Sequence, residues 1–364
     1  MRSRPLGAAD TSRYMRSRSA ANAHVSALPL TFAAAPTKPD GINPSQDLSM
    51  TAVRFRSSGN LTADRRFDYA IDLLEAGDTV AAGDLIEQAL ELAPDWPAGW
   101  FRLAEARAAS GDIGAAIAAY RRAGDLDPAD TLGARLRLAR LGGIDTPAQP
   151  PAAYVRGLFD DYADRFDHAL VDGLAYRAPD LIAAALAVAS GDGRFGSCLD
   201  LGCGTGLMAE ALRSRVGAFV GVDLSQGMID KARAKGLYQA LLVGDLVATL
   251  RDMPAGRHDL VCAADVFCYL GDLSAAIKEA ARVLRPGGLL AFSLERQLPS
   301  DPAGDYYLSD SLRFRHGAAY VARLLVGVGL EIDHIDHGTL RKDRGLPIEG
   351  LVVVASKSLS GNQI

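Results

Sequence analysis

The chain has 364 residues, 49% of them hydrophobic and 23% charged, with a formal net charge of −5. That length suggests two or three domains, and the composition supplies ample core. The acidic balance excludes a general nucleic-acid binder, which needs a cationic face to displace counterions from phosphates.

The four cysteines, Cys198, Cys203, Cys262 and Cys268, lie in or beside apolar runs with no CxxC pair and no zinc spacing. Reduced thiols in a cytoplasmic protein are therefore expected, with no metal-ligand set. The longest apolar run, Leu181 to Ala189, is too short to span a bilayer, so no membrane association is expected.

In chain order, residues 1–59 read as an extension. Its first part is rich in Arg, Ser, Ala and Pro, poor in acids and without amphipathic period. Such composition can mark a transit peptide. A disordered tail or an over-extended gene start fits it better, with Met50 opening more ordinary sequence.

Residues 60–144 carry an internal repeat. Gly77-Asp78 recurs as Gly111-Asp112, Ala82 as Ala116, Ala89 as Ala123 and Pro94 as Pro128, every offset being 34. Trp100, Leu103 and Ala104, then Gly111, then Ala116, Tyr120 and Ala123, then Pro128 resemble the tetratricopeptide repeat (TPR). Small alanines let paired helices approach, glycine suits the turn and proline ends the second helix. The earlier copy has Arg66 where the later has Trp100. A further helix, Leu132 to Leu141, shields the end of the stack. The repeats imply either a surface for a protein partner or a packing module.

Residues 145–153 read as a stiff extended linker. Beyond it, Phe159, Tyr162 and Phe166 share one face of a helix. Phe159 and Phe166 fit core packing.

Ser197 to Leu201 is a short apolar strand, Gly202-Cys203-Gly204-Thr205-Gly206 follows at once, and a helix starts at Leu207. Strand, glycine loop, helix brings backbone close to a ligand and aims a helix N-terminus at an anionic group. Dinucleotide enzymes space their glycines G-x-G-x-x-G. Here the spacing is G-x-G-x-G with Asp200 two residues ahead of it, which argues against a nicotinamide-dependent oxidoreductase.

That loop resembles motif I of class I S-adenosylmethionine-dependent methyltransferases. Later residues extend the resemblance. A strand from Phe219 ends at Asp223, one from Tyr238 ends before Gly244-Asp245-Leu246, and one from Asp259 ends at Asp265. Leu284-Arg285-Pro286-Gly287-Gly288 resembles the family's turn before the fifth strand. Helix Ala318 to Val328 and strands Glu331 to His337 and Ile348 to Ala355 complete the alternation. The expected architecture is thus N-terminal TPR helices followed by a Rossmann-like, seven-stranded class I methyltransferase domain over residues 154–358, with a tail at 359–364.

The resemblance implies S-adenosylmethionine as cofactor. It places Asp200, Gly202, Cys203, Gly204 and Gly206 around the amino-acid end, Asp223 on the ribose, and Leu224, Met228, Asp245 and Leu246 by the adenine. Asp265 falls at the methionine end, and Tyr162 caps the cofactor. His168 and His316 are the candidate bases, needed only for an acceptor that is protonated at working pH. Together both modules resemble the TPR-containing methyltransferases of bacterial genomes. There a Gly-Arg-Tyr-x-His run stands near Leu312 to His316, where this chain has Leu and Phe for the Gly and Tyr. That departure leaves the acceptor open, small molecule or protein.

Arg313 or Arg315 could hold an acceptor carboxylate, against a plainer reading as a solvated basic face. A non-catalytic scaffold or sensor that binds cofactor and a partner is the rival from a different class.

Overall fold

The computed structural model describes residues 57–163, 175–343 and 345–359. Met50, Phe166 and His168 lie outside them.

The 34-residue period becomes two helix pairs. They are α1 (Leu61–Glu75) with α2 (Thr79–Leu92), and α3 (Pro97–Ala109) with α4 (Ile113–Leu126). The same cap recurs in both. Asp78 and Asp112 each accept an amide hydrogen bond, from Ala81 and Ala115, an arrangement worth about 1 kcal/mol. Gly77 and Gly111 precede them at φ +86° and +87°, where a side chain would be strained. Ala82, Ala89, Ala104 and Ala116 are fully buried between the helices. Arg66 donates to the Gln88 carbonyl at 2.9 Å from the place that Trp100 fills in the next repeat. A short helix, α5 (Ala134–Arg140), closes the stack.

Two helices, α6 (Ala152–Tyr162) and α7 (Ala178–Ser190), lead into an α/β sheet. Its parallel strands are β1 (Phe195–Leu201), β2 (Val216–Asp223), β3 (Tyr238–Val243), β4 (His258–Ala263) and β5 (Leu284–Arg296). They stand in the order β3-β2-β1-β4-β5. Two long strands, β8 (Leu330–Asp343) and β9 (Leu346–Lys357), form an antiparallel hairpin, and β9 pairs antiparallel with β5. Central strands read almost wholly apolar because helices cover both faces. The crossover helices are α8 (Leu207–Leu212), α9 (Gln226–Lys235), α10 (Leu246–Asp252), α11 (Ser274–Val283) and α12 (Ala318–Gly327). One core layer joins β-strand residues such as Val261 and Phe292 to α11 and α12, and the other joins Cys198 and Leu260 to α7 and α8.

Among the described residues, seven strands follow the expected alternation, and two more extend it. Strands β6 (Tyr306–Leu308) and β7 (Phe314–His316) form a hairpin whose β7 joins the end of β5 in parallel, Glu295 opposite Arg315. At three residues each, these strands are too short to show a period in the sequence. The hairpin also meets the repeats. Leu136 of α5 packs with Leu308, Leu312 and Phe314. Arg140 donates to the Tyr307 hydroxyl at 3.1 Å and pairs with Asp310.

The linker is not a free spacer. The Ala148 carbonyl accepts from the Gly271 and Asp272 amides at 2.8 and 3.0 Å, which pins it across the sheet domain. No helix among the described residues is long and apolar enough to cross a membrane.

Candidate cofactor and acceptor cavity

A cavity of about 180 Å³ runs across the carboxyl ends of β3, β2, β1 and β4, the place where open parallel sheets bind ligands. Eight of the residues expected around the cofactor line it: Gly202, Gly204, Asp223, Leu224, Asp245, Leu246, Asp265 and Tyr162.

The glycine loop is shaped by contact as well as by conformation. A Cβ on Gly202 would fall 2.5 Å from Val266 Cγ2, at φ +59°. Glycine therefore leaves room that any other residue would fill. The Gly204 amide donates to Asp223 Oδ2 at 2.8 Å, and the Ser225 amide to Asp223 Oδ1 at 2.9 Å. A carboxylate offers about four acceptor sites, so Asp223 keeps capacity for a further donor such as a ligand hydroxyl. Asp245 lines the cavity and caps α10 through Oδ1, which accepts from the Ala248 amide at 2.9 Å. Cradle, paired-acceptor acid and capping acid fit a nucleoside with an amino-acid tail.

The other expected residues lie behind this wall. Asp200 is buried and accepts from the Tyr238 hydroxyl at 2.6 Å. Burial pushes its carboxyl up to about 7, against the pull of Tyr238. Cys203 packs onto β2, where its sulfur stands 2.8 Å from a Cβ placed on Gly221. Gly206 opens α8 at φ +96°. Met228 is fully buried core. None of these four lines the cavity.

His316 is also away from the wall. Its ring is fully buried, and Nε2 lies 3.0 Å from the Gly271 carbonyl. Burial holds its pKa down to about 4, so the ring is neutral with Nε2 as donor. The β6–β7 hairpin folds this candidate base inward between Tyr306 and Tyr320.

Part of the cavity wall is aromatic and charged. Phe159, Tyr162, Tyr176 and Tyr269 wall it, with Gln149, Pro150 and Val155 beside them. Asp160 of α6 accepts from the Ser225 hydroxyl at 2.5 Å and the Gly227 amide at 3.2 Å, which clamps α6 over the cleft. Asp265 adopts φ +59°, a left-handed conformation that costs a side-chain-bearing residue about 1–2 kcal/mol. Its amide donates to Ser293 Oγ at 2.9 Å, and Arg341 holds its carboxylate.

Arg341 is 2% exposed, reaches in from β8 and also binds Glu295. Gly350 makes room for the neighbouring Leu340, since a Cβ there would stand 2.4 Å from Leu340 Cγ. Arg341 and Asp160 escape sequence reading. Each acts through a contact across more than sixty residues, and no local pattern marks it.

Residues 199–292 match the methyltransferase domain family, and residues 73–141 match the tetratricopeptide repeat. A ubiquinone biosynthesis O-methyltransferase of Xanthomonas oryzae pv. oryzae is 34% identical over 131 residues, 35% of this chain and 51% of the relative. A malonyl-[acyl-carrier protein] O-methyltransferase of Serratia marcescens is 37% identical over 95 residues, 26% of this chain and 36% of the relative. The chain thus spans about half or less of the curated relatives it matches. Among solved structures, a SAM-dependent methyltransferase of Methanosarcina mazei covers 46% of this chain and 94% of its own, at 23% identity and TM-score 0.39. Another, from Mesorhizobium loti, covers 49% and 96%, at 21% identity and TM-score 0.38.

Proposed function

We propose that this chain, which carries a class I S-adenosylmethionine-dependent methyltransferase domain behind tetratricopeptide repeats, transfers a methyl group to a small-molecule acceptor. One observation carries the reading. Gly202, Gly204, Asp223, Asp245 and Asp265, drawn from the ends of four strands, converge on one cavity.

When bound, S-adenosylmethionine supplies an electrophilic methyl group on a sulfonium. The chain's own residues bind, orient and exclude water. Asp223 would accept both ribose hydroxyls, and Asp245 with Leu246 would hold the adenine. Gly202 and Gly204 would admit the amino-acid tail, and Asp265 would face its methionine end. Tyr162 and Phe159 cover the cleft from α6, and Tyr176 and Tyr269 wall the acceptor side. Such enclosure aligns the reactants and keeps bulk water from competing. It also suits a small acceptor better than a folded protein. The repeats remain available for a protein partner.

The test is calorimetry with S-adenosylhomocysteine, followed by labelled-methyl transfer in a metabolite extract. Binding with transfer is expected. Binding without any labelled product would instead identify a non-catalytic sensor, and no binding would defeat the reading.

A further inference from the structure

The two arginines before His316 have separate fates. Arg315 Nη1 is paired with Asp301, at 2.9 and 3.3 Å to its two oxygens, and lies off the cavity. Arg313 lines the cavity, with its side chain 14% exposed. Among the described residues it donates no hydrogen bond, and its nearest carboxylate oxygen, Glu295 Oε1, stands 3.8 Å away. Arg341 bonds both Asp265 and Glu295, and Arg313 adds positive charge beside the same two acids without a hydrogen bond to either. Tyr269 supports the Arg313 guanidinium, whose carbon lies 5.3 Å from the ring centroid. A planar, always-charged fork of donors is thus held at the cavity wall. Its natural complement is a carboxylate bound through two oxygens.

Position separates this group from the cofactor's own carboxylate. Arg313 directly precedes β7, and the sheet runs β2-β1-β4-β5-β7. At about 4.8 Å per strand, β7 lies about 10 Å beyond β4 and about 19 Å beyond the ribose acid on β2. The amino-acid tail would belong at β1 and β4, so the Arg313 backbone stands beyond it, while the guanidinium reaches the cavity wall over Tyr269. We propose that Arg313 is the specificity-determining residue of the acceptor half and selects an acceptor bearing a carboxylate. This rests on the methyltransferase reading above.

The test uses the full chain saturated with S-adenosylhomocysteine and titrated calorimetrically with paired probes. These are 3-phenylpropanoate against 3-phenylpropanamide, and 4-hydroxybenzoate against 4-hydroxybenzamide. In the wild type at least one acid should bind about tenfold or more tighter than its amide. Arg313→Met should erase that preference while S-adenosylhomocysteine affinity stays within about twofold. Arg313→Lys, which keeps the charge without the fork, should retain a reduced preference and serves if the methionine variant fails to fold. No acid preference in the wild type would overturn the proposal, as would a full preference in either variant. So would a tenfold or greater loss of S-adenosylhomocysteine affinity in Arg313→Met, which would assign Arg313 to the cofactor. Failure of the methyltransferase reading is distinct: the wild type would then not bind S-adenosylhomocysteine before any acid is added.

Discussion

One nitrogen of Arg341 donates to both carboxylate oxygens of Asp265, at 2.6 and 2.7 Å. Its other terminal nitrogen reaches Glu295. The guanidinium therefore ties the β8–β9 hairpin to the ends of β4 and β5. It also holds Asp265 in its left-handed conformation at the cavity wall.

Arg341→Leu would leave two buried carboxylates without this partner. Breaking a buried ion pair from one side costs about 3–5 kcal/mol, and urea unfolding at pH 7 should show a loss of that size. Arg341→Lys should recover only a minor part of it, since one ammonium cannot span both acids with fork geometry. A loss below about 1 kcal/mol in Arg341→Leu would mean that the pairing is offset by its own desolvation.

Asp200 gives the apo protein a pH dependence of definite sign. Its folded pKa is raised to about 7, against about 3.9 for an unfolded aspartate. The stabilisation is complete below the unfolded value and is lost as pH rises through the folded one. Asp200→Asn keeps an oxygen for the Tyr238 hydroxyl and removes the titration. Between pH 5 and pH 8, urea unfolding should show the variant losing about 1–3 kcal/mol less stability than wild type. Parallel losses would place the slope elsewhere, for instance on Glu295, which burial also pushes up to about 7.

Asp223 serves the loop and the proposed ribose site at once. Asp223→Ala removes the acceptor of the Gly204 and Ser225 amides together with two charge-assisted bonds to ligand hydroxyls. At about 1.5–3 kcal/mol each, the expected loss of S-adenosylhomocysteine affinity in calorimetry is about a hundredfold or more. Gly202→Ala should also weaken binding, through the Val266 clash and the φ of +59°, by about 1–3 kcal/mol. Unchanged affinity in Asp223→Ala would remove the ribose assignment.

How much could be read in advance follows the range of the contacts. The repeat was legible because Gly77, Asp78, Gly111 and Asp112 act within a few residues, as turn and cap. The glycine loop and the acids at 223 and 245 were legible because each sits at a strand end, which the apolar runs mark. Position on a strand does not say which side a residue faces. Asp200 accordingly lies behind the cavity wall. His316 looked like a base from its residue type alone, yet burial decides its protonation. Arg341 to Asp265 spans 76 positions and Ser225 to Asp160 spans 65. Contacts at that separation leave no periodic trace.

The docking of the repeats on the β6–β7 hairpin gives a last test. Leu136 is fully buried against Leu308, Leu312 and Phe314, and Arg313 sits in that same hairpin turn. Leu136→Ala should cost about 2–5 kcal/mol of stability. The effect should reach the hairpin, because its short strands are held by few ladder bonds and lean on α5 for burial. Hydrogen exchange in the full chain should therefore speed up at Ser309 and Gln297, whose amides bond to the carbonyls of Arg313 and His316. The amides of β1 and β2 should keep their protection, since their core is built without the repeats. Faster exchange confined to α3–α5, with hairpin protection unchanged, would show that the hairpin holds itself and that the repeats merely rest on it.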